Sequence, residues 1–253
     1  MSDDDLDLGS NTLFEEPEDF RPPPPEPHFA NYENKINGTT IPLRLVGSSP
    51  LWGNYLWNAG IYTADYINAH PEIVRDKKVL ELGAAAGLPS IVSALNNASY
   101  VLCTDYPEAD LIANIDYNFQ HNPVTSSYMV KGYIWGNSLG ELLYNDSQKD
   151  EISEEDKFDL IILSDLVFNH SEHHKLLSTC RRALRKNGKC IVVFSPHRPW
   201  LLENDLLFFT TCEEYDFKAE QIELVQWKPM FENDKGSAEI RSRVYSYFLK
   251  PQW

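Results

Sequence analysis

The residues with the clearest chemical purpose lie in Val79-Leu80-Glu81-Leu82-Gly83-Ala84-Ala85-Ala86-Gly87-Leu88-Pro89, where an apolar run gives way to small residues and then to a helix start. Glycine and alanine there let the backbone approach a nucleotide-like ligand closely, and the helix start offers free N–H groups. Asp105 closes the next apolar run, Tyr100-Val101-Leu102-Cys103-Thr104, where a carboxylate can accept both hydroxyls of an adenosine ribose. The turn reads Gly83-x-x-x-Gly87 and lacks the Gly-x-Gly-x-x-Gly spacing that a dinucleotide pyrophosphate prefers. Glu81, just ahead of it, suits instead a site where an acid faces the amino end of a methionine-like ligand. The competing reading is an ordinary strand-to-helix turn in an unliganded α/β protein.

Other reactive residues carry less. His170, His173 and His174 form a conspicuous cluster, but no carboxylate or further histidine is spaced to complete a metal site, so a polar helix start and no metal are expected. There is no Gly-x-Ser-x-Gly elbow, and none of Cys103, Cys180, Cys190 and Cys212 has a base in its sequence context, so covalent catalysis has no support. The four cysteines form no C-x-x-C pair, which points to a reducing compartment without disulfides.

Apolar periodicity supplies the elements that must position these groups. Strands are expected at Lys78–Leu82, Tyr100–Thr104, Tyr128–Val130, Phe158–Leu163, Lys189–Phe194, Ile222–Trp227 and Val244–Leu249. Helices are expected up to about Asn68, over Pro89–Leu95, about Glu108–Phe119, His173–Arg185 (stopped by Asn187-Gly188) and Leu201–Tyr215. Ile41–Val46 reads as a short strand or arm, and residues 136–157 as a solvated acidic loop with a helical turn. Strands separated by helices predict an α/β fold with a mostly parallel sheet and helices on both faces. The last two strands are joined by a polar loop, Glu232–Arg243, so the last strand is expected to insert antiparallel.

Residues 1–40 read as an acidic, proline-rich extension containing Pro22-Pro23-Pro24-Pro25, and residues 41–253 as the folded domain. The chain has 253 residues, with 22 Lys and Arg against 38 Asp and Glu, a net charge of −16. Such a balance argues against gripping nucleic-acid phosphates and favours a basic polypeptide partner. The N-terminal MSDDDLDLGS has neither a basic nor an apolar leader region, and no apolar run is long enough for a membrane span. A cytoplasmic location is expected.

These motifs resemble the methyltransferase-16 family of seven-stranded lysine methyltransferases. The resemblance rests on Leu56-Trp57-Asn58-Ala59, Glu81-Leu82-Gly83 with Gly87-Leu88-Pro89, and Ser164-Asp165-Leu166-Val167-Phe168, and extends from about Leu43 to Trp253. The corresponding family stretches read approximately Trp-Asp-Ala, Glu-Leu-Gly-x-Gly-x-Gly-Leu and Asp-x-Val-Tyr, so Ala85 stands for a turn glycine and Asn58 for an aspartate. The resemblance implies a class I (Rossmann-like) seven-stranded methyltransferase sheet binding S-adenosyl-L-methionine. It places Trp57 against the cofactor, Gly83, Ala84 and Ala85 around its methionine end, Asp105 on the ribose, Trp135 over the adenine and Ser164 in the pocket wall. Asp165 then orients the amine nucleophile, and Phe168, Tyr106 or Trp200 holds the methylated cation through its ring. Without the resemblance, Trp57 and Trp135 read as core packing.

One fungal branch of the family, nearest in its Pro-Glu-Pro-His-Phe and Leu-Arg-Leu-Val-Gly-Ser-Ser-Pro-Leu-Trp-Gly segments, implies as substrate the N-terminal glycine and adjacent lysine of translation elongation factor 1-alpha, methylated by a monomer. Methylation of a small amine such as nicotinamide and a non-catalytic binding module are the alternatives. An α-amino group titrates near ~8 and lysine near ~10.4, so the terminal amine is the easier nucleophile at neutral pH.

Overall fold

A computed structural model describes residues 25–149 and 151–253, which leaves residues 1–24 of the acidic, proline-rich extension outside the described residues. The apolar run that leads into the turn forms β3 (Lys78–Leu82), central in a seven-stranded sheet with β4 (Tyr100–Asp105), β5 (Ser127–Gly132), β6 (Phe158–Ser164), β7 (Leu184–Phe194), β8 (Phe217–Gln226) and β9 (Arg243–Pro251). The order is β5-β4-β3-β6-β7-β9-β8. β3 to β7 pair in parallel, while β9 runs antiparallel to both its neighbours, as expected.

Helices cover both faces because side chains alternate across each strand. Val79, Leu160, Ile162, Ile191 and Val193 join one buried cluster with α1 (Asn58–Ala69), α2 (Leu88–Leu95) and α3 (Ala109–Gln120). Their neighbours Leu80, Ile161, Leu163, Val192 and Phe194 join a second cluster with α4 (Leu139–Tyr144), α5 (His173–Ala183) and α6 (Leu202–Thr211). From β3 the chain builds outward one way through β4 and β5, then returns to build the other way from β6. The carboxyl ends of β3 and β6 therefore flank the crevice where open α/β sheets bind ligands.

Three features depart from the sequence reading. The segment expected to be an extended tail contains β1 (His28–Glu33), which pairs antiparallel with β2 (Thr40–Leu45). Asn118 of α3 fastens this hairpin to the central turn: its amide bonds both the N–H and C=O of Arg44 (2.7 and 2.9 Å) and donates to the Ala86 carbonyl (3.0 Å). α5 stops at Ala183, ahead of Asn187-Gly188, which instead lies in an irregular stretch of β7 between the pairs Phe158↔Leu184 and Leu160↔Lys189. The extra residues there let Arg185 reach Asp159 (2.8 Å) and the Glu155 carbonyl (2.9 Å). The loop before β9 carries a short α7 (Ala238–Arg241). Among the described residues, no helix is long and apolar enough to cross a membrane.

Glu81 is the one carboxyl group in the interior of β3, 1 % exposed, and it accepts a hydrogen bond from the Ser90 N–H of α2 (2.9 Å). Burial pushes its pKa up to about 8, against the opposing pull of the Ser90 hydrogen bonds. An acid whose folded pKa lies above its unfolded value binds more protons when folded, so its contribution to stability declines as pH rises from near the unfolded value of ~4.3 towards 8. Thermal melting should therefore fall between pH 6 and pH 8.5 more steeply in the wild type than in Glu81→Gln. Parallel melting curves for the two proteins over that range would contradict a neutral buried Glu81.

Candidate active site

The turn after β3 is built from left-handed residues, with φ of +64° at Gly83, +51° at Ala85 and +79° at Gly87. A Cβ on Gly83 would stand 2.5 Å from Leu166 Cδ2 and 3.2 Å from Trp135 Cζ2, so only glycine leaves this edge open. Ala85 is the exception among the three, since a left-handed alanine costs about 1–2 kcal/mol. Hydrogen bonds hold it in place. Asp105 Oδ2 accepts from the Ala85 N–H (2.6 Å), Ala84 donates to the Thr104 carbonyl (3.0 Å), and Gly87 donates back to Ala84 (2.8 Å).

Asp105 is 9 % exposed at the end of β4, and its other oxygen accepts from the Tyr106 N–H (2.6 Å). Burial raises its pKa, and those two backbone donors counter the rise. Each oxygen keeps a lone pair beyond these bonds, so the carboxylate still has capacity for hydroxyl donors from the cleft. Glu81 lies beneath the turn, accepting from Ser90 through one oxygen and bordering a recess of about 30 Å³, roughly one water molecule, that Trp57, Gly83, Ala84, Ala85 and Ser164 also line.

A cleft of about 780 Å³ opens at the crevice, and Trp57, Gly83, Ala85, Asp105, Trp135, Ser164, Asp165 and Phe168 all line it. Ala84, the remaining residue expected at the cofactor, is buried one step behind with Gly83, Ala85 and Ser164. Trp57 stands at the N-terminus of α1, its indole N–H on the Trp52 carbonyl (3.1 Å). Trp135 rests on the apolar cluster of the α5 face with its ring reaching Gly83. The Ser164 hydroxyl is fixed by Thr63 of α1 (2.9 Å).

Beside the cleft, Trp52, Trp57, Phe168, Phe231, Asp165, His197, Arg198 and Asp234 enclose a pocket of about 260 Å³. Trp57 meets its neighbours edge to face, with His197 at 4.9 Å and Phe231 at 5.9 Å between ring centroids. Asp165 follows β6 in a left-handed conformation (φ +60°) with its own N–H on the Val193 carbonyl (2.7 Å). Its carboxylate accepts from the Ser195 N–H (3.2 Å) and pairs with His197 Nε2 (2.9 Å). A carboxylate against aromatic faces is the environment that holds a cationic amine and its methylated product.

His197 and Phe231 are absent from the sequence reading. A signal for His197 existed: β6 and β7 are neighbours, so residues just past each strand must meet at the same edge. Phe231 had none, because it lies in the irregular segment after β8, which Asn58 ties to α1 by donating to the Lys228 carbonyl (2.8 Å). An aspartate at position 58 has no N–H with which to make that bond. Of the rings expected to hold the product cation, Phe168 and Tyr106 line the cleft, whereas Trp200 lines neither cavity and sits 62 % exposed beside Gly236. The histidines disperse: His170 pairs with Asp205 (2.7 Å), His174 with the Tyr215 hydroxyl (3.0 Å), and His173, buried rather than on the surface, with the Val167 carbonyl (2.7 Å). Among the described residues no cluster suits a metal ion.

Comparison with known proteins agrees with this geometry. The family described as lysine methyltransferase matches residues 47–215. A protein N-terminal and lysine N-methyltransferase of Debaryomyces hansenii is 61 % identical over 259 residues, covering 100 % of both chains. Its namesake in Schizosaccharomyces pombe is 45 % identical over 249 residues, covering 96 % of each. Among solved structures, a Thermus thermophilus 16S rRNA N2 G1207 methyltransferase in complex with AdoMet and guanosine superposes with a TM-score of 0.58 at 16 % identity, covering 91 % of this chain and 52 % of that one, which is a likeness of fold. The sheet thus has the fold of a methyltransferase solved with AdoMet, and this chain belongs to the lysine methyltransferase family.

Proposed function

We propose that this protein methylates the N-terminal glycine amine and the adjacent lysine of translation elongation factor 1-alpha, working as a cytoplasmic monomer. The observation that carries the reading is the continuity of the cleft with the aromatic and acidic pocket, which share Trp57, Asp165 and Phe168. The names of the fungal relatives, protein N-terminal and lysine N-methyltransferase, support the chemistry.

The residues present fit S-adenosylmethionine. Gly83 leaves open the space a side chain would fill, and the Asp105 carboxylate retains acceptor capacity towards the cleft. In this assignment Gly83, Ala84 and Ala85 take the methionine end, Asp105 the ribose hydroxyls, Trp135 the adenine, while Trp57 and Ser164 form the wall between cofactor and amine. When bound, the cofactor supplies an electrophilic methyl group on a sulfonium. The protein's share is alignment: Asp165 orients the incoming amine, and Trp57, Phe168 and Phe231 surround it with ring faces and exclude water.

Around the mouth, Leu51 (48 %), Trp52 (55 %), Tyr106 (47 %) and Ile134 (39 %) stand exposed, an apolar rim that suits a polypeptide better than a small amine. The net charge of −16, much of it in the acidic N-terminal segment and the loop before β6, speeds encounter with a basic substrate and orients it. Incubation with methyl-labelled cofactor and purified elongation factor 1-alpha, followed by mass spectrometry of the product, should place label on the terminal glycine and the neighbouring lysine. Label confined to internal residues, or to small amines in a lysate, would overturn the assignment.

Asp105→Ala removes hydrogen bonds to ribose worth roughly 1.5–3 kcal/mol each. With both ribose hydroxyls unheld, affinity for S-adenosylhomocysteine, measured by calorimetry, should then fall by about two to four decades at ~1.4 kcal/mol per decade. Undiminished affinity in a folded variant would take Asp105 out of the cofactor site.

A further inference from the structure

We propose that His197, held by Asp165, is the general base that takes the proton from the substrate amine. The inference rests on the methyl-transfer reading and adds the one step that alignment does not provide, because a protonated amine has no lone pair to offer.

The geometry is that of a base with an orienting acid. His197 and Asp165 both line the aromatic pocket, and His197 Nε2 lies 2.9 Å from Asp165 Oδ2. Facing a carboxylate, Nε2 carries the hydrogen in the neutral ring, so Nδ1 is the bare nitrogen. Among the described residues Nδ1 has no hydrogen-bond partner, although the side chain is only 18 % exposed. Asp165 is itself fixed, 6 % exposed, by the Ser195 N–H and by its left-handed backbone. The ring is held from the other side by the edge-to-face contact with Trp57.

Charges around the ring favour accepting a proton. Burial depresses the pKa of His197, but the charge and hydrogen bond of Asp165, with Asp205 and Asp234 beyond, outweigh it and leave the ring more basic than an ordinary histidine. Asp205 is partly balanced by its pair with His170, and the adjacent Arg198 is turned to the Phe168 carbonyl (2.6 Å). A histidine made more basic in this way is better matched to an α-amino group near ~8 than to a lysine near ~10.4, so this pair serves the terminal amine best.

The balance is simple. The ammonium gives its proton to Nδ1, and Asp165 stabilises the imidazolium. The freed lone pair forms the new C–N bond as the C–S bond breaks, which leaves a neutral thioether and a methylated, positively charged amine. The imidazolium returns its proton to water.

The test uses the full chain and a peptide with a free N-terminal amine matching the elongation factor. His197→Gln should lower kcat about 100-fold at pH 7, and the gap should close as pH rises past ~8, where the amine deprotonates in solution. Affinity for S-adenosylhomocysteine should stay within a few-fold of wild type. Independently of activity, ¹⁵N spectra of the ligand-free wild type should show the neutral His197 ring protonated on Nε2 and bare on Nδ1. A folded His197→Gln variant with the wild-type rate and pH profile, or the opposite tautomer in the wild type, would refute the base. Failure of the wild type to methylate either amine would refute the methyl-transfer reading instead.

Discussion

The hydrogen bond from the Ala85 N–H to the Asp105 carboxylate joins the two strand ends on which the site depends. It locks an alanine into the left-handed region, and so fixes the path of the turn between Gly83 and Gly87. That path determines where α2 begins and how deep the cleft runs against Trp135 and Leu166. The same carboxylate is the group assigned to the ribose, so one buried acid would both shape the turn and hold the nucleoside. Strain of about 1–2 kcal/mol at Ala85 is tolerable only because its neighbours over-determine it.

A parallel arrangement exists at the adjacent strand. Asp165, also left-handed and also buried, closes β6 and secures the loop after β7 through Ser195 and His197. The sheet's order brings these two acids to one edge from opposite directions of chain growth. Asp105 lines the cleft alone, Asp165 both the cleft and the aromatic pocket, and Trp57 stands where the two meet, with its ring against His197. The proposed separation of cofactor and amine functions would follow from this topology, with the chemistry set by the residue that ends each strand.

What could be read from sequence divides along the same line. The turn and Asp105 were legible because each adjoins an apolar strand whose period announces it, whereas Asp165 and Phe168 came into view only through the family resemblance. The seven-stranded sheet with its antiparallel insertion was legible from the same apolar periods. Asn187-Gly188 misled because a glycine after a basic helix signals a stop, whereas here it allows β7 to bulge around Asp159. Trp200 misled because an aromatic near the site says nothing of its direction. Phe231 was invisible: it arrives from an irregular loop that the Asn58 bond to Lys228 ties to α1. The β1 strand was hidden inside polar sequence, its pairing with β2 supported from outside by Asn114 and Asn118.

The central claim is that the turn held by Asp105 and the pocket held by Asp165 receive cofactor and amine side by side. A crystal structure of the complex with S-adenosylhomocysteine and a free-amine peptide from the elongation factor tests it most directly. Both ribose hydroxyls are expected on the Asp105 carboxylate, the adenine against Trp135, and the peptide's terminal amine between Trp57, Phe168 and the Asp165–His197 pair. A nucleoside bound without contact to Asp105, or a peptide terminus seated outside the aromatic pocket, would contradict it.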